Sequence, residues 1–596
     1  LYTMKIRLLL ILLLNMVVLC SCVDDAYDLS DIDTTARFQV HDFVVPMNID
    51  GVTLKSVLDL KPTSKIKEIN GEYALVEEGD FKSDAINVAT FNTDVPRISP
   101  IEASLNLQIP DFGVKAKGGF NEQWVACYPL SNDVTSFTIE SNNVPVQVVG
   151  IDKVEADANI GIDIDVYGLD NILKQVRFSG VKIQMIKGLT VSGLSINGES
   201  YSSGLYDTKT GILDLSSYQI LTHNGHAKFD MHISGIDAGL ADMKLKGTNL
   251  QFGSAIHLLP GGIVAVLAED FEALKDIQSL PSVVGYKCEI GVSKINVETF
   301  TGTIKYDITG VNIDPVSLKD IPDLLNQPET DIKILNPQIY LELNNPVYEQ
   351  YKLTASTGFA LTALREKESP KKCSLDDGEL IVIDAAFNSF VLSPEDPREN
   401  SHPDFKGAKH VGFKSLCDVV SGKGLPQTIN VDVVNPQIDE QHVEQFRLGS
   451  KINPVKGRYM LYAPLNLKEG SNIVYTDTIS GWNDKDVDGI TIEGLTINAN
   501  VSSDVPLELV VKVYPMVIKN GKSVVDYSIE GSALLPASAS DYPLEITLNG
   551  VIQHIDGILI KADLASKGQG KTLGPDMTLH LDKLRAKVTG YYDREL

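Results

Sequence analysis

The sequence has few of the residues that mark disulfide-rich, metal-binding or nucleic-acid-binding proteins. Six cysteines are spread over 596 residues without a CxxC pattern, which disfavours a zinc site built from cysteine pairs. Lysine and arginine number 52 against 79 aspartates and glutamates, so the formal net charge is −27. Because nucleic-acid binding requires basic side chains against phosphate, this balance argues against a nucleic-acid partner.

Motifs of catalysis are also missing from the chain. It contains no GxSxG nucleophile elbow, no HExxH helix and no GxGxxG loop after a strand. We therefore expect a protein that is not an enzyme. A surface glycan-processing enzyme is the alternative, but a catalytic carboxylate pair cannot be chosen by sequence from 79 acidic residues.

One apolar run stands near the N-terminus, at residues 8–22 (LLLILLLNMVVLCSC), after Lys5 and Arg7. A membrane-spanning helix needs about 20 apolar residues, so the run has the length of a secretory signal instead. Its end, Leu-Cys-Ser-Cys at 19–22, resembles the bacterial lipobox. The resemblance implies that residues 1–21 are a lipoprotein signal peptide and that Cys22 carries diacylglycerol and fatty acid such as palmitate.

The segment after Cys22 is strongly acidic. Residues 22–36 contain five aspartates, which keep the segment solvated and favour a tether between lipid and fold. The stretch CVDDAYDLSDIDTT also resembles the start of uncharacterised surface lipoproteins of gut Bacteroidota. That resemblance implies an outer-membrane, cell-surface location, with the lipid on Cys22 as the contact to the membrane.

Alternation of apolar and polar residues dominates the rest of the chain, as at 160–166 and 544–548. This period of two is typical of strands with one buried face. Five Asn-Gly pairs favour tight antiparallel hairpins, at 70–71, 197–198, 224–225, 520–521 and 549–550. The pattern predicts a mainly β protein of several antiparallel β-sandwich-like domains with a few short helices. We place the β domains at 37–150, 151–330, 331–455 and 456–596.

Helical patterns are few. The best covers 262–280, where apolar residues recur on one helical stripe between two prolines; shorter candidates lie at 169–176, 317–326 and 414–421. The polar composition of 366–409 predicts a long exposed excursion within the third β domain, with a strand only around 380–392.

The most specific local motif is an acidic loop at 484–489. Asp484, Asp486 and Asp488 precede Gly489 with the spacing of calcium-loop ligands. The twelfth position of an EF-hand would be Leu495, and Glu493 falls two residues early. The loop is therefore a possible Ca²⁺ site that other strands would have to complete, and a solvated acidic turn is the alternative.

Trp482, beside that loop, is a possible stacking platform for a sugar ring. The only other tryptophan is Trp124, and tryptophans lie more often in cores than on platforms. A surface glycan-binding protein is thus a second alternative. It requires one of these indoles, or a tyrosine cluster, to be exposed on one face.

Four cysteines remain after Cys20 and Cys22: Cys127, Cys288, Cys373 and Cys417. Export would allow them to oxidise, and Cys373 with Cys417 is the most plausible pair. Buried free thiols are the alternative. The sequence as a whole predicts a membrane-anchored surface lipoprotein with a non-enzymatic binding or structural role, whose partners are surface proteins or glycans.

Overall fold

The computed structural model describes residues 35–46, 52–109, 124–270, 277–365, 369–483, 489–568 and 570–595. The predicted signal peptide and Cys22 lie outside the described residues, as does the tether up to residue 34. The described chain divides into two compact units. The first unit combines the N-terminal part up to Asp59 with Glu469–Leu596, and the second unit is Leu60–Lys468.

The strands of the N-terminal half include several that exceed ten residues. They are β1 Thr35–Pro46, β2 Val52–Thr53, β3 Ile66–Ile69, β4 Glu72–Lys82, β5 Ile86–Asn87, β6 Phe91–Asn92, β7 Ile101–Asn106, β8 Trp124–Pro129, β9 Val134–Ser141, β10 Val148–Tyr167, β11 Val176–Ser179, β12 Lys182–Gln184, β13 Leu189–Ile196, β14 Glu199–Tyr201, β15 Tyr206–Asp207, β16 Ile212–Asp214, β17 Gln219–Thr222, β18 His226–Asp237, β19 Lys244–Lys246, β20 Asn249–Leu258, β21 Ile263–Leu267 and β22 Val283–Val292.

The C-terminal half is also built from strands. They are β23 Asn296–Asp307, β24 Val316–Ser317, β25 Asp331–Ile332, β26 Gln338–Asn344, β27 Ala355–Leu364, β28 Lys371–Ser374, β29 Ile381–Ile383, β30 Phe387–Ser393, β31 Lys409–Gly412, β32 Gly422–Lys423, β33 Thr428–Arg447, β34 Lys451–Ile452, β35 Lys456–Pro464, β36 Asn472–Ile479, β37 Ile490–Ser503, β38 Leu507–Lys519, β39 Lys522–Val525, β40 Gly531–Leu535, β41 Tyr542–Ile552, β42 Ile555–Ser566 and β43 Thr578–Glu595.

Helices are short throughout the described chain. The α-helices are α1 Leu54–Leu58, α2 Pro346–Tyr351 and α3 Leu416–Val420, and 3₁₀ turns occur at Ser203–Leu205, Ile277–Ser279, Asp323–Asn326, Arg398–Asn400 and Pro403–Phe405. None of the described helices is long and apolar enough to cross a membrane. The predicted fold class, mainly β with antiparallel sheets and a few short helices, is confirmed.

The first unit is a sandwich of two antiparallel sheets. One sheet has the order β1, β43, β37, β41, and β2 pairs beside it with β43; in the other, β42 pairs with β36 and β38. Alternate residues of both sheets meet in one core, because side chains of period two leave each strand on opposite faces. The fully buried members of that core are all isoleucine, leucine, valine or alanine.

The second unit is organised around two strands of 20 residues, β10 and β33. Strand β10 pairs with β18, β22 and β23, and β33 pairs with β23 and β27, all antiparallel. Along β10 the side chains of Ile160, Ile162, Ile164 and Val166 are buried. The alternation that predicted a strand at 160–166 is therefore confirmed.

Three of the five Asn-Gly pairs form the expected turns. At 70–71, 197–198 and 520–521 both residues have positive φ, which a type I′ hairpin turn requires. At 224–225 only the glycine has positive φ, and the pair at 549–550 lies inside β41. The prediction of hairpin turns is therefore wrong for these two pairs.

The predicted helix at 262–280 is wrong over its first turns. Ile263–Leu267 is strand β21, and all five of its residues are buried between neighbouring β8 and β11. A strand buried on both faces loses its alternation and reads as a continuous apolar run, which a helical stripe also fits. Residues 271–276 of that prediction lie outside the described part. Of the shorter candidates, 414–421 contains α3, 317–326 contains only a 3₁₀ turn at its end, and 169–176 contains no helix.

The prediction of a strand around 380–392 is confirmed, because β29 and β30 lie there. The prediction that the rest of 366–409 is exposed is wrong, because its described part also contains β28 and buries Cys373 and Phe405. Because polar residues separate these buried apolar positions, the composition of the whole segment does not indicate that they are buried. The predicted division into four β domains stays a prediction; its boundary at 150 falls within β10, and that at 455 falls just before β35.

The described cysteines are free thiols. Cys127, Cys288, Cys373 and Cys417 are all buried and unbridged, so the favoured Cys373–Cys417 pair is wrong and the free-thiol alternative holds. Burial raises the pKa of Cys288 and of Cys373 to about 12. These two thiols are therefore protonated and pack as small apolar groups, whereas Cys417 Sγ also accepts from Lys468 Nζ at 3.3 Å.

Candidate functional site

The second unit contains an apolar cavity of about 50 Å³. Its walls come from β4 and β26 on one side and from β27, β29 and β33 on the other, with the connection after β23 adding three residues. The lining residues are Phe81, Ser83, Ile308, Val311, Ile313, Leu341, Leu343, Asn345, Ala355, Thr357, Phe359, Ile381, Ile383, Val433, Pro436 and Val455.

The lining is deeply buried at one end and half-buried at the other. Leu341, Phe359 and Ile381 are at most 3% exposed, and they form the inner wall. Phe81 and Ile313 are half-buried, as are Val311, Val433, Pro436 and Val455. We interpret this second group as the mouth, because a half-buried apolar rim leaves room for a ligand to enter.

The polar groups of the lining already have partners within the protein. The Asn345 side chain caps α2 by accepting from the Tyr348 amide at 3.1 Å, and its Nδ2 donates to the carbonyls of Leu353 and Ile383. Ser83 Oγ donates to the Asp84 carbonyl at 2.8 Å, and Thr357 Oγ1 donates to the Val434 carbonyl at 3.1 Å. A ligand in this cavity would therefore meet apolar surface, which favours an aliphatic group over a sugar or an ion.

The size of the cavity limits what it can accept. Its volume of about 50 Å³ is about a third of that of the apolar cavities of about 150 Å³ that take up benzene. It suits a short aliphatic group, such as the end of an acyl chain or the side chain of a partner protein. The hydroxyl groups of the lining, Ser83 and Thr357, both donate to backbone carbonyls, so a ligand would contact mainly apolar side chains.

A buried polar cluster lies on the face of β26 opposite to the cavity. Tyr340 is fully buried, its hydroxyl donates to Gln338 Oε1, and it accepts from the backbone amide of His402 at 2.7 Å. The His402 ring packs edge-on against Tyr462, with 5.1 Å between ring centroids, and it is 6% exposed. Burial lowers the pKa of His402, so the ring is neutral at physiological pH.

Of the predicted site residues, Cys22 and the three loop aspartates, Asp484, Asp486 and Asp488, lie outside the described residues. Glu493 is described, and it is exposed on β37 where the pairing with β43 shifts register between Ile492 and Gly494. In the part of the chain that the structure describes, no three His, Cys, Asp or Glu side chains gather as a metal site requires. The Ca²⁺ site at 484–489 stays a prediction.

The two tryptophans are half-buried. Trp482 packs against the core of the first unit, and its backbone amide donates to the Asp556 carbonyl at 2.7 Å. Trp124 packs against Cys127, Ile263 and Ala265 in the second unit. Each indole therefore presents only part of its surface to solvent, and the ligand site at Trp482 stays a prediction.

Comparison with known proteins gives no family for this chain. No protein-family model matches it, and no curated protein matches it. Among solved structures it is similar to a protein of Parabacteroides distasonis ATCC 8503 that is provisionally described as secreted, with 14% identity and a TM-score of 0.35 over 48% of this chain and 89% of that one. A triple jelly-roll protein of an archaeal virus aligns with 11% identity and a TM-score of 0.09, over 84% of this chain and 90% of that one.

The cavity was not predictable from the sequence. Its lining extends from Phe81 to Val455, and no local motif connects these residues. Each of them is an ordinary strand or loop residue taken alone. Only the pairing of distant strands brings them to one space, and neither composition nor periodicity carries that information.

Proposed function

We propose that the protein is a lipid-anchored lipoprotein of the outer membrane, displayed at the cell surface, with a non-enzymatic binding or structural role. The observation that carries this proposal is the Leu-Cys-Ser-Cys end of the apolar run at 8–22, because lipidation requires a cysteine at that place. The acidic segment after Cys22 supports it by providing a solvated spacer between the lipid and β1.

The binding part of the proposal rests on the apolar cavity of the second unit. Its satisfied polar groups and half-buried apolar rim suit an aliphatic group presented by a lipid or by a partner protein. The glycan-binding alternative has weaker support, because Trp482 and Trp124 each pack partly against a core. A glycan-processing enzyme has no described carboxylate pair in this cavity to support it.

Substitution of Cys22 by alanine tests the anchoring. Cells that express the wild-type chain and are fed a radiolabelled or alkyne-tagged fatty acid should incorporate the label into the protein, whereas Cys22→Ala should incorporate none and should leave the membrane fraction. Cys20→Ala is the matched control, since it changes a neighbouring cysteine and should retain the label. Continued labelling of Cys22→Ala would overturn the proposal.

A further inference from the structure

The edge of the first sheet in the first unit carries exposed aromatic side chains. Phe38 and Phe43 on β1 are each 53% exposed, and Tyr592 on β43 is 39% exposed. In the antiparallel ladder Phe38 lies opposite Tyr592, and Phe43 lies opposite Val588. Directly opposed residues of a ladder have their side chains on the same face. The three aromatic rings, which we name the edge patch, therefore share one face of the sheet.

That face is covered by the other sheet only at its centre. Val588 is 7% exposed and belongs to the sandwich core, together with Ala586 and Leu584 on alternate positions of β43. Among the described side chains of β1, none belongs to that core. The edge patch thus continues the apolar face of the sandwich beyond the point where the second sheet covers it. Apolar surface of this kind is typical of a contact with another molecule.

The charge around the edge patch differs from that of the whole chain. Strands β1 and β43 together contain five lysines or arginines and four aspartates or glutamates, whereas the chain has a net charge of −27. The ion pair of Arg37 with Asp593 lies on the opposite face of the sheet from the edge patch. Aromatic rings favour the interface between lipid and water, and these two strands carry no excess of negative charge that would repel the patch from a bilayer.

The position of β1 in the chain identifies the partner. Only 12 residues separate Cys22 from Thr35, where β1 begins. At 3.3–3.6 Å for each of the 13 steps between them, that segment reaches at most about 45 Å. If Cys22 carries lipid, the start of β1 stays within about 45 Å of the bilayer. The effective concentration of the first sheet at the membrane surface is therefore high.

We propose that the edge patch docks on the lipid bilayer that holds the anchor, with Phe38, Phe43 and Tyr592 inserted at the level of the headgroups. This inference rests on the proposed anchoring at Cys22. A tether alone leaves the protein free to rotate above the membrane. The docked edge patch would hold the first unit against the membrane in a fixed orientation. Diacylglycerol and a fatty acid on Cys22 would already give stable attachment, so the protein contact would set the orientation of the first unit rather than its affinity for the membrane.

The test uses the chain from residue 22 onward, with Cys22 replaced by an N-terminal hexahistidine that binds a nickel-chelating lipid in phosphatidylcholine vesicles. This arrangement holds the protein at the bilayer whether or not Cys22 is lipidated in the cell, so failure of docking and failure of anchoring are separate results. Phe43→Trp places an indole in the edge patch. Phe387→Trp is the matched control, because Phe387 is 62% exposed and lies in the second unit.

Vesicles made with brominated phosphatidylcholine should quench the Phe43→Trp indole by about twofold, because an inserted ring lies within about 5–10 Å of the headgroup boundary. The Phe387→Trp indole should show no added quenching over the background of Trp124 and Trp482, which is measured in the unsubstituted chain. Phe38→Ser combined with Phe43→Trp should reduce the quenching. Circular dichroism and a thermal midpoint verify that each variant is folded.

Equal quenching at positions 43 and 387 would overturn the proposal. A dimer in sedimentation velocity without vesicles, abolished by Phe38→Ser with Phe43→Ser, would also overturn it, because the edge patch would then bind a second copy of the chain. Fatty-acid labelling of Cys22 is followed in parallel, and its outcome bears on the anchor alone.

Discussion

The cores of the two units differ in the kinds of side chain that they bury. In the first unit, the core consists of isoleucine, leucine, valine and alanine side chains from both sheets, and we call it the aliphatic core. In the second unit, strands with the same alternation enclose a cavity of about 50 Å³ and bury polar rings such as Tyr340 and His402 nearby. The same pattern of residues can therefore build an aliphatic core or an interior that also holds polar rings and a cavity.

The largest expected effect on stability comes from removing a buried side chain from the aliphatic core of the first unit. Leu548 on β41 is fully buried, and Leu548→Ala should lower the free energy of unfolding of the first unit by about 2–5 kcal/mol, because it removes apolar contacts and leaves a cavity. The control Val551→Ala, on the same strand at a position 61% exposed, should change it by less than about 0.5 kcal/mol. Urea titration followed by hydrogen exchange in each unit provides the measurement. Similar losses of unfolding free energy in both variants would contradict the assignment of Leu548 to the aliphatic core.

The next largest effect is the change in unfolding free energy when a larger side chain is placed in the core of each unit. Ala499→Leu in the first unit should cost about 1–3 kcal/mol, because Ala499 is buried among core side chains that a larger residue would displace, whereas Ala355→Leu in the cavity wall should cost less than about 1 kcal/mol. Xenon under pressure, whose atom is small enough for a cavity of about 50 Å³, should raise the unfolding midpoint of the second unit by mass action in the wild type and in Ala499→Leu, but not in Ala355→Leu. If Ala355→Leu retains the xenon effect, the cavity is not the binding site.

The smallest expected effect concerns the pH dependence of the second unit. Because burial lowers the pKa of His402 in the folded state, its contribution to stability is complete above the unfolded pKa of about 6.5 and is lost as the pH falls through the folded value. Asp404 and Glu78 oppose this shift and Arg458 adds to it. Thermal midpoints at pH 8 and pH 5 should differ less in His402→Gln than in the wild type, and an identical difference would assign the pH dependence to other groups.

Much of the fold could be predicted because alternation reports burial on one face. The strand at 160–166 was found in this way, and three Asn-Gly pairs marked their turns correctly. The prediction failed at Ile263–Leu267, where both faces are buried and the alternation disappears. It also failed at 366–409, where sparse apolar residues such as Phe405 pack on the distant Tyr340.

The sites were less predictable than the fold. The motif at 19–22 is local, and lipidation of Cys22 stays a prediction, whereas the cavity and the edge patch are built from residues that only the strand pairing brings together. Phe38 and Tyr592 look like ordinary strand residues in the sequence. Their exposure depends on where the opposing sheet ends, which is a property of the whole unit.

The pairing of β1 with β43 also constrains how the chain acquires its fold. Arg37 and Asp593 form an ion pair across 556 positions of sequence, so the first sheet requires residues from both ends of the described chain. The second unit has all of its strands available earlier in synthesis or export. Closing so long a loop is slow relative to local pairing, and we expect β1 to be among the last strands to dock. Until then the backbone N–H and C=O groups of β43 that pair with β1 would remain open to another strand.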